Sequence, residues 1–326
     1  MRFSIIALGL TCALATLGQA HAFGTLNSLG QHAEHERITR VALASLAPRT
    51  LTEIAGSGGS FGAVGAPDNP ARGLLFESAA HCDNGDFLRR EDLQSASGPP
   101  YPQTQAQAQA MLAACRAWIV KWLDKAVVDA AALAQPGKLN ASLGCAFTGG
   151  RGRAKCNVLE DLGISFHAAQ DFYAHTNWVD QPAAGPMGAD NPPGLGASGR
   201  ASWLDPRRAT AFPPGLISGC FQAKPESLFC TYGDQHIARA RHAALNKDEG
   251  PIGANGATGP GTTTRGARNG NFERAVAAAI EDTRDKWAYF EERVVATYGE
   301  QDGGRILCVM REDDRRRCRQ DAPKAR

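Results

Sequence analysis

Four stretches of the chain repeat apolar residues at helical spacing, and none of any length alternates apolar and polar residues as a half-buried strand would. The first, residues 31–46, sets Ile38, Ala42 and Leu46 on one side, with His35 and Thr39 beside them. The second, residues 105–133, begins rich in Ala and Gln, then carries Trp118, Ile119, Trp122, Leu123 and Val127 before Pro136-Gly137 stops it. The third covers residues 157–178. The fourth, residues 272–298, has Ala275, Ala279, Trp287, Phe290 and Val294 on its apolar side. This pattern predicts a mostly α fold. The connectors 56–70, 185–214 and 246–271 are rich in Gly, Pro or Thr. Structureless loops of that length inside a compact domain are usually functional or disordered, and disulfides and metals would help hold them.

Composition narrows the class. The 326 residues are 43% hydrophobic and 21% charged, which fits a packed globular chain and excludes wholesale disorder. The net charge of +2 supplies no whole-molecule field for holding nucleic acid. At the N-terminus, Arg2 precedes an apolar run over residues 5–17 and an Ala20-His21-Ala22 cleavage pattern. Residues 1–22 therefore read as a signal peptide, with the mature chain starting at Phe23. No later apolar run is long enough to span a bilayer. The expectation is a secreted or periplasmic protein without a transmembrane segment. Its helical domain would cover residues 23–311, ahead of a basic, polar C-terminal tail at 312–326.

Of the nine cysteines, Cys12 leaves with the signal. Eight allow roughly a hundred pairings, and sequence does not choose among them. Spacing favours Cys145–Cys156, Cys220–Cys230 and Cys308–Cys318 as short loops, with Cys82–Cys115 left over. An exported chain without Cys-x-x-Cys favours disulfides over a thiolate zinc site.

The chemistry lies with the histidines. Apart from His21 they are His32, His35, His81, His167, His175, His236 and His242. His167, Asp171 and His175 are spaced i, i+4, i+8, which on a helix places them at roughly 0°, 40° and 80° over a rise of about 12 Å. Leu159, Leu162, Phe166, Ala169 and Tyr173 fall on the adjacent face. One side of this helix can then pack into a core while the other presents two imidazoles and a carboxylate, a donor set suited to zinc. The two histidines are too far apart to share one ion with Asp171 midway, so the spacing points to several metals bridged by that carboxylate. His35, Asp68 (in a Gly-Ala-Pro-Asp-Asn-Pro turn), His81 (in Ala-Ala-His-Cys-Asp) and His242 are further candidates. His-Glu-x-x-His is absent, which removes the familiar single-zinc protease motif.

Taken together, the Ala-Phe-Gly start, the order of these residues and the segment Leu-Gly-Ile-Ser-Phe-His-Ala-Ala-Gln-Asp-Phe-Tyr-Ala-His-Thr-Asn-Trp resemble the zinc-dependent phospholipase C superfamily. That superfamily also contains single-strand nucleases, and the likeness is to its heterokaryon-incompatibility-C-type and CinY-type secreted branch. The resemblance covers residues 23–175 in motif order and extends less fully to about 298. It implies a single helical domain around two or three Zn²⁺ ions, with long disulfide-stapled loops. It also implies metal ligation by His35, Asp68, His81, His167, Asp171 and His175, with Asp171 bridging and Asp68 as the catalytic residue that orients or deprotonates the attacking water. Family members place a ligating Trp at the mature N-terminus, where this chain has Phe23. Their helix spaces the second His two residues further on, and their last ligand pair is His-x-x-x-Glu or His-x-x-x-Asp. His242 with Asp248 is the expected last pair here, with His236 in reserve. The activity implied is phosphodiester hydrolysis, foremost a phospholipase C acting on phospholipid at a membrane surface, with nucleic acid the lesser partner. The alternatives are a single-strand nuclease, or a non-catalytic, zinc-stabilised interaction or toxin protein.

Overall fold

The computed structural model describes residues 23–27, 31–92, 100–221, 230–232 and 237–319. Residues 1–22, expected to be a signal segment, and His236 lie outside these. Among the described residues the fold is mostly α, as the apolar pattern predicts, with strands confined to three two-stranded antiparallel ribbons. The helices are α1 (Glu34–Ala42), α2 (Pro48–Ala55), α3 (Ser78–His81), α4 (Gln105–Ala130), α5 (Ala154–His175), α6 (His242–Leu245) and α7 (Asn271–Arg311).

Local sequence accounts for several boundaries. Thr104 and Gln107 form a reciprocal capping box that starts α4. Pro48 opens α2 at a position where its missing N–H costs nothing. The fourth apolar stretch continues past its expected end at 298. Gly299 leaves helical geometry with a φ of 76°, and the helix then resumes to Arg311, burying Ile306, Leu307, Val309 and Met310.

The third stretch departs most from expectation. It does not divide into a core side and an open side. Because α4, α7, α3, α2 and α6 pack against it, α5 is buried along nearly its whole length, polar residues included. Gly163 explains the closeness on one side: a Cβ there would fall 2.2 Å from the carbonyl carbon of Ala63. Only glycine lets the 63–64 backbone approach, and this segment leads directly into the turn that carries Asp68.

The four disulfides are Cys82–Cys115, Cys145–Cys156, Cys220–Cys230 and Cys308–Cys318, the pairings that spacing favours. The long loops are held mainly by buried polar side chains. Asn177 donates to the carbonyls of Pro193 and Gly215, at 3.0 Å each. Asp180 pairs with Lys247 at 2.8 Å and Arg265 at 2.9 Å, all three buried. This pairing fixes the backbone beside Asp248. The segment expected to be a free tail from 312 starts as part of the body. The Asp313 carboxylate accepts from the amides of Arg49 and Thr50, and buried Lys155 donates to the Glu312 carbonyl.

Candidate metal centre

Five separate segments, the C-terminal half of α5 among them, meet at one centre. The N-terminal turn of α1 brings His35, and the 3-10 turn Ala66–Asp68 brings Asp68. The end of α3 brings His81 and, two residues on, Asp83. Helix α5 itself contributes His167, Asp171 and His175, one helical turn apart. The start of α6 and the residues after it bring His242 and Asp248. Ala33, Cys82 and Asn84 all adopt positive φ, a region non-glycine residues rarely occupy, and each adjoins this centre in sequence.

Four ligand-type atoms form a first group: Asp68 Oδ1, His81 Nδ1, His167 Nε2 and Asp171 Oδ2. His167 Nε2 lies 3.0 Å from Asp171 Oδ2, 3.1 Å from His81 Nδ1 and 3.7 Å from Asp68 Oδ1. His81 Nδ1 lies 3.0 Å from Asp171 Oδ2 and 3.9 Å from Asp68 Oδ1. Ligands held tetrahedrally about 2.1 Å from one ion are about 3.4 Å apart, so these spacings suit a shared cation. A second group runs through the other oxygen of Asp171. Its Oδ1 lies 3.2 Å from His35 Nε2 and 3.9 Å from His175 Nε2, which lies 3.2 Å from Asp248 Oδ1. All four of those atoms are buried without a hydrogen-bond partner. Buried polar atoms are normally satisfied; these four instead face one another, as nitrogen and oxygen donors of the kind that can hold a cation.

The imidazoles are oriented from behind. His35 Nδ1 donates to Gln170 Oε1 at 2.7 Å, and Gln170 Nε2 in turn donates to Thr39 and Thr283. His167 Nδ1 donates to the Val64 carbonyl at 2.9 Å, and His175 Nδ1 to the His81 carbonyl at 2.7 Å. In each ring the proton is held on Nδ1 and the Nε2 lone pair faces the centre, the arrangement typical of a ligating histidine. No family model, curated protein or solved structure matches the chain.

Electrostatics agree with a cation site. Burial pushes the Asp171 carboxyl up, but His167, His175 and His35 outweigh it and hold the group well below its ordinary value. Burial opposes protonation of His175, yet Asp171, Asp248 and Asp83 carry it well above the usual imidazole range. His242 is likewise raised, to about 9, and Asp83 is lowered to about 2, each against the effect of burial. The carboxylates demand positive charge, which protons supply when no metal does.

All eight residues named from sequence meet here. His242 Nε2 approaches Asp248 Oδ2 at 3.1 Å. Asp83 was missed. Its Oδ1 lies 3.2 Å from His175 Nδ1 and 3.3 Å from His242 Nδ1, and these three residues form a further group able to hold a metal ion. The His-x-Asp spacing of His81 and Asp83 was its only signal. Phe23 is not remote from the centre: it is buried, with its ring edge-on to His35 at 5.8 Å.

The centre opens on one side. Among the ligand-type side chains Asp68 is the most exposed, at 16%, followed by His81 at 6%. Thr25 Oγ1 donates to Asp68 Oδ2, leaving Oδ1 turned toward His81 and His167.

Proposed function

We propose that the chain is a secreted or periplasmic zinc-dependent phosphodiester hydrolase, of the phospholipase C type. One observation carries this reading: a carboxylate that reaches solvent, Asp68, shares a four-atom group with two imidazoles and a second carboxylate that extends to another such group. The nitrogen and oxygen donors, without thiolate, suit zinc. Bound zinc would supply Lewis-acid charge beside the phosphoryl oxygens and a water acidified to near neutrality.

The chain's own residues do the rest. Asp171 is buried and offers one oxygen to each group, so it sets their separation. Gln170, Val64 and His81 hold three rings with their lone pairs inward. Asp68, steadied by Thr25, stands at the open side, where it can orient the attacking water and accept its proton. Water oxygen bonds to phosphorus, the bond from phosphorus to the glycerol oxygen breaks, and the released alcohol takes up a proton. The near-neutral net charge favours a phospholipid over a nucleic acid as the diester. Four disulfides fit an oxidising compartment. No helix among the described residues is long and apolar enough to cross a membrane.

The test is metal content of the purified protein, with phosphatidylcholine and single-stranded DNA hydrolysis assayed before and after chelation. Two or three zinc ions per chain and chelator-sensitive release of phosphocholine are expected. Asp68→Asn should reduce that release by at least about a hundredfold while the protein stays folded. Chelator-sensitive DNA cleavage instead would move the reading to a nuclease. Stoichiometric zinc without either activity would leave a zinc-stabilised interaction protein.

A further inference from the structure

Between Asp68 and His81 the chain leaves the centre and returns to it, and the stretch between runs over the surface. Pro70, Ala71, Gly73 and Phe76 are exposed, and Leu74 and Leu75 are half-buried. Phe76 is 64% exposed, unusual for a large apolar side chain in this protein. The only charged residue in 70–76 is Arg72, and it is turned inward. Its Nε lies 2.8 Å from Glu160 Oε1 and its guanidinium sits 5.6 Å over the Trp122 ring. The outward surface of the stretch is thus apolar and uncharged. It is also close to the centre: Phe76 comes five positions before His81, which at full extension is under about 18 Å. Its two ends, Asp68 and His81, are the two ligand-type residues that reach solvent most.

Building on the phospholipase reading, we propose that residues 70–76 are the surface by which the protein seats itself on a phospholipid bilayer, with Phe76 inserting among the acyl chains and the headgroup lying over Asp68 and His81. A stable protein partner would need roughly 800 Å² from each side, more than one short loop offers. Binding to a bilayer has no such threshold area: its strength scales with the apolar surface buried at the interface, which the Phe76 ring would supply together with Pro70, Ala71 and Leu75. The uncharged outer surface suits a zwitterionic bilayer and gives no preference for an anionic one.

The experiment is flotation of the metal-loaded protein with phosphatidylcholine vesicles, read as bound fraction. Phe76→Ser should lower the partition coefficient about ten- to a hundredfold, the range expected for losing one buried phenyl ring. Phe76→Trp should restore it. Val128→Ser, on α4 and 68% exposed in the parent, should leave binding unchanged. Metal content and melting temperature confirm that each variant is folded. Wild-type protein that fails to float, Phe76→Ser that floats as well as wild type, or equal loss in Val128→Ser would each overturn the surface. The two proposals fail separately. Phe76-dependent flotation without phosphocholine release keeps the surface and removes the phospholipase. Phosphocholine release with flotation indifferent to Phe76 does the reverse.

Discussion

Asp171 joins the two groups through its two oxygens, with Oδ2 on His167 and His81, and Oδ1 on His35 and His175. Asp171→Asn should therefore empty both groups, whereas Asp248→Asn should empty only the second and leave metal at Asp68, His81 and His167. Metal per chain, measured by elemental analysis after gel filtration, distinguishes these outcomes. Equal retention in both variants would remove the bridging role. Gln170 touches no proposed ion, yet it fixes the His35 ring through Oε1 while its amide is held by Thr39 and Thr283. Gln170→Leu should keep the fold but weaken metal affinity about ten- to a hundredfold, as read by competition with a chromophoric chelator. At this scale the sequence was legible where a helix imposed its period: residues at i, i+4 and i+8 had to share a face. Asp83 was not, because the chain leaves α3 at Cys82 in a left-handed conformation and no periodicity relates Asp83 to its neighbours. Gln170 was silent for another reason. An amide beside a metal ligand looks in sequence like any polar helical residue, and its role appears only once Thr39 and Thr283 are brought to it.

Helices positioned by apolar repeats were the readable elements, and the short ones, fixed by distant partners, were not. Helix α2 has eight residues, and Ala47 at its N-cap offers no side-chain hydrogen bond. The cap comes from Asp313, more than 250 residues away in the chain, whose carboxylate accepts from the Arg49 and Thr50 amides and from the Thr50 hydroxyl. A long-range cap of this kind leaves no local signal, which is why residues from 312 onward read as a tail. Asp313→Ala should cost about 0.5–2 kcal/mol at neutral pH, measured by denaturant unfolding. Burial raises the Asp313 carboxyl, but the amide and hydroxyl donors outweigh this and hold it below its ordinary value. Its contribution is thus present at neutral pH and is lost as pH falls through the acid range. The gap between wild type and variant should close below about pH 4. A gap that persists there would mean that Asp313 acts by packing rather than as a charged cap. The same logic applies around α5. Its apolar face was legible, but its complete burial was not, since that depends on Gly163 admitting the 63–64 backbone and on five other helices closing around it.

For the molecule as a whole, the centre ties together α1, the Asp68 turn, α3, α5 and the stretch around α6. Two disulfides adjoin it: Cys82–Cys115 secures the residue after His81 to α4, and Cys220 of Cys220–Cys230 accepts from the His242 amide. Removing metal should therefore loosen the whole fold rather than one edge of it. An ion present at a hundred times its dissociation constant contributes about 2.7 kcal/mol, and two would contribute about 5 kcal/mol. At roughly 2 °C per kcal/mol for a chain of this size, chelation should lower the melting temperature by about 10 °C at neutral pH. The loss should also depend on pH in a defined direction. Without metal, the carboxylates Asp171, Asp248 and Asp83 draw protons onto His175 and His242, the latter with its pKa raised to about 9. A histidine raised in the folded state contributes stability that is complete below its unfolded value of about 6.5 and disappears as pH rises through its folded value. Metal-free protein should then weaken steadily from about pH 6.5 to 9, while loaded protein, whose imidazoles are already occupied, should not. The melting difference between the two forms should widen across that interval. Asp171→Asn provides the control, because a protein without the bridging carboxylate should melt at the same temperature with and without chelator. A chelator effect that survives in Asp171→Asn would place the stabilising ion outside the two groups that Asp171 joins.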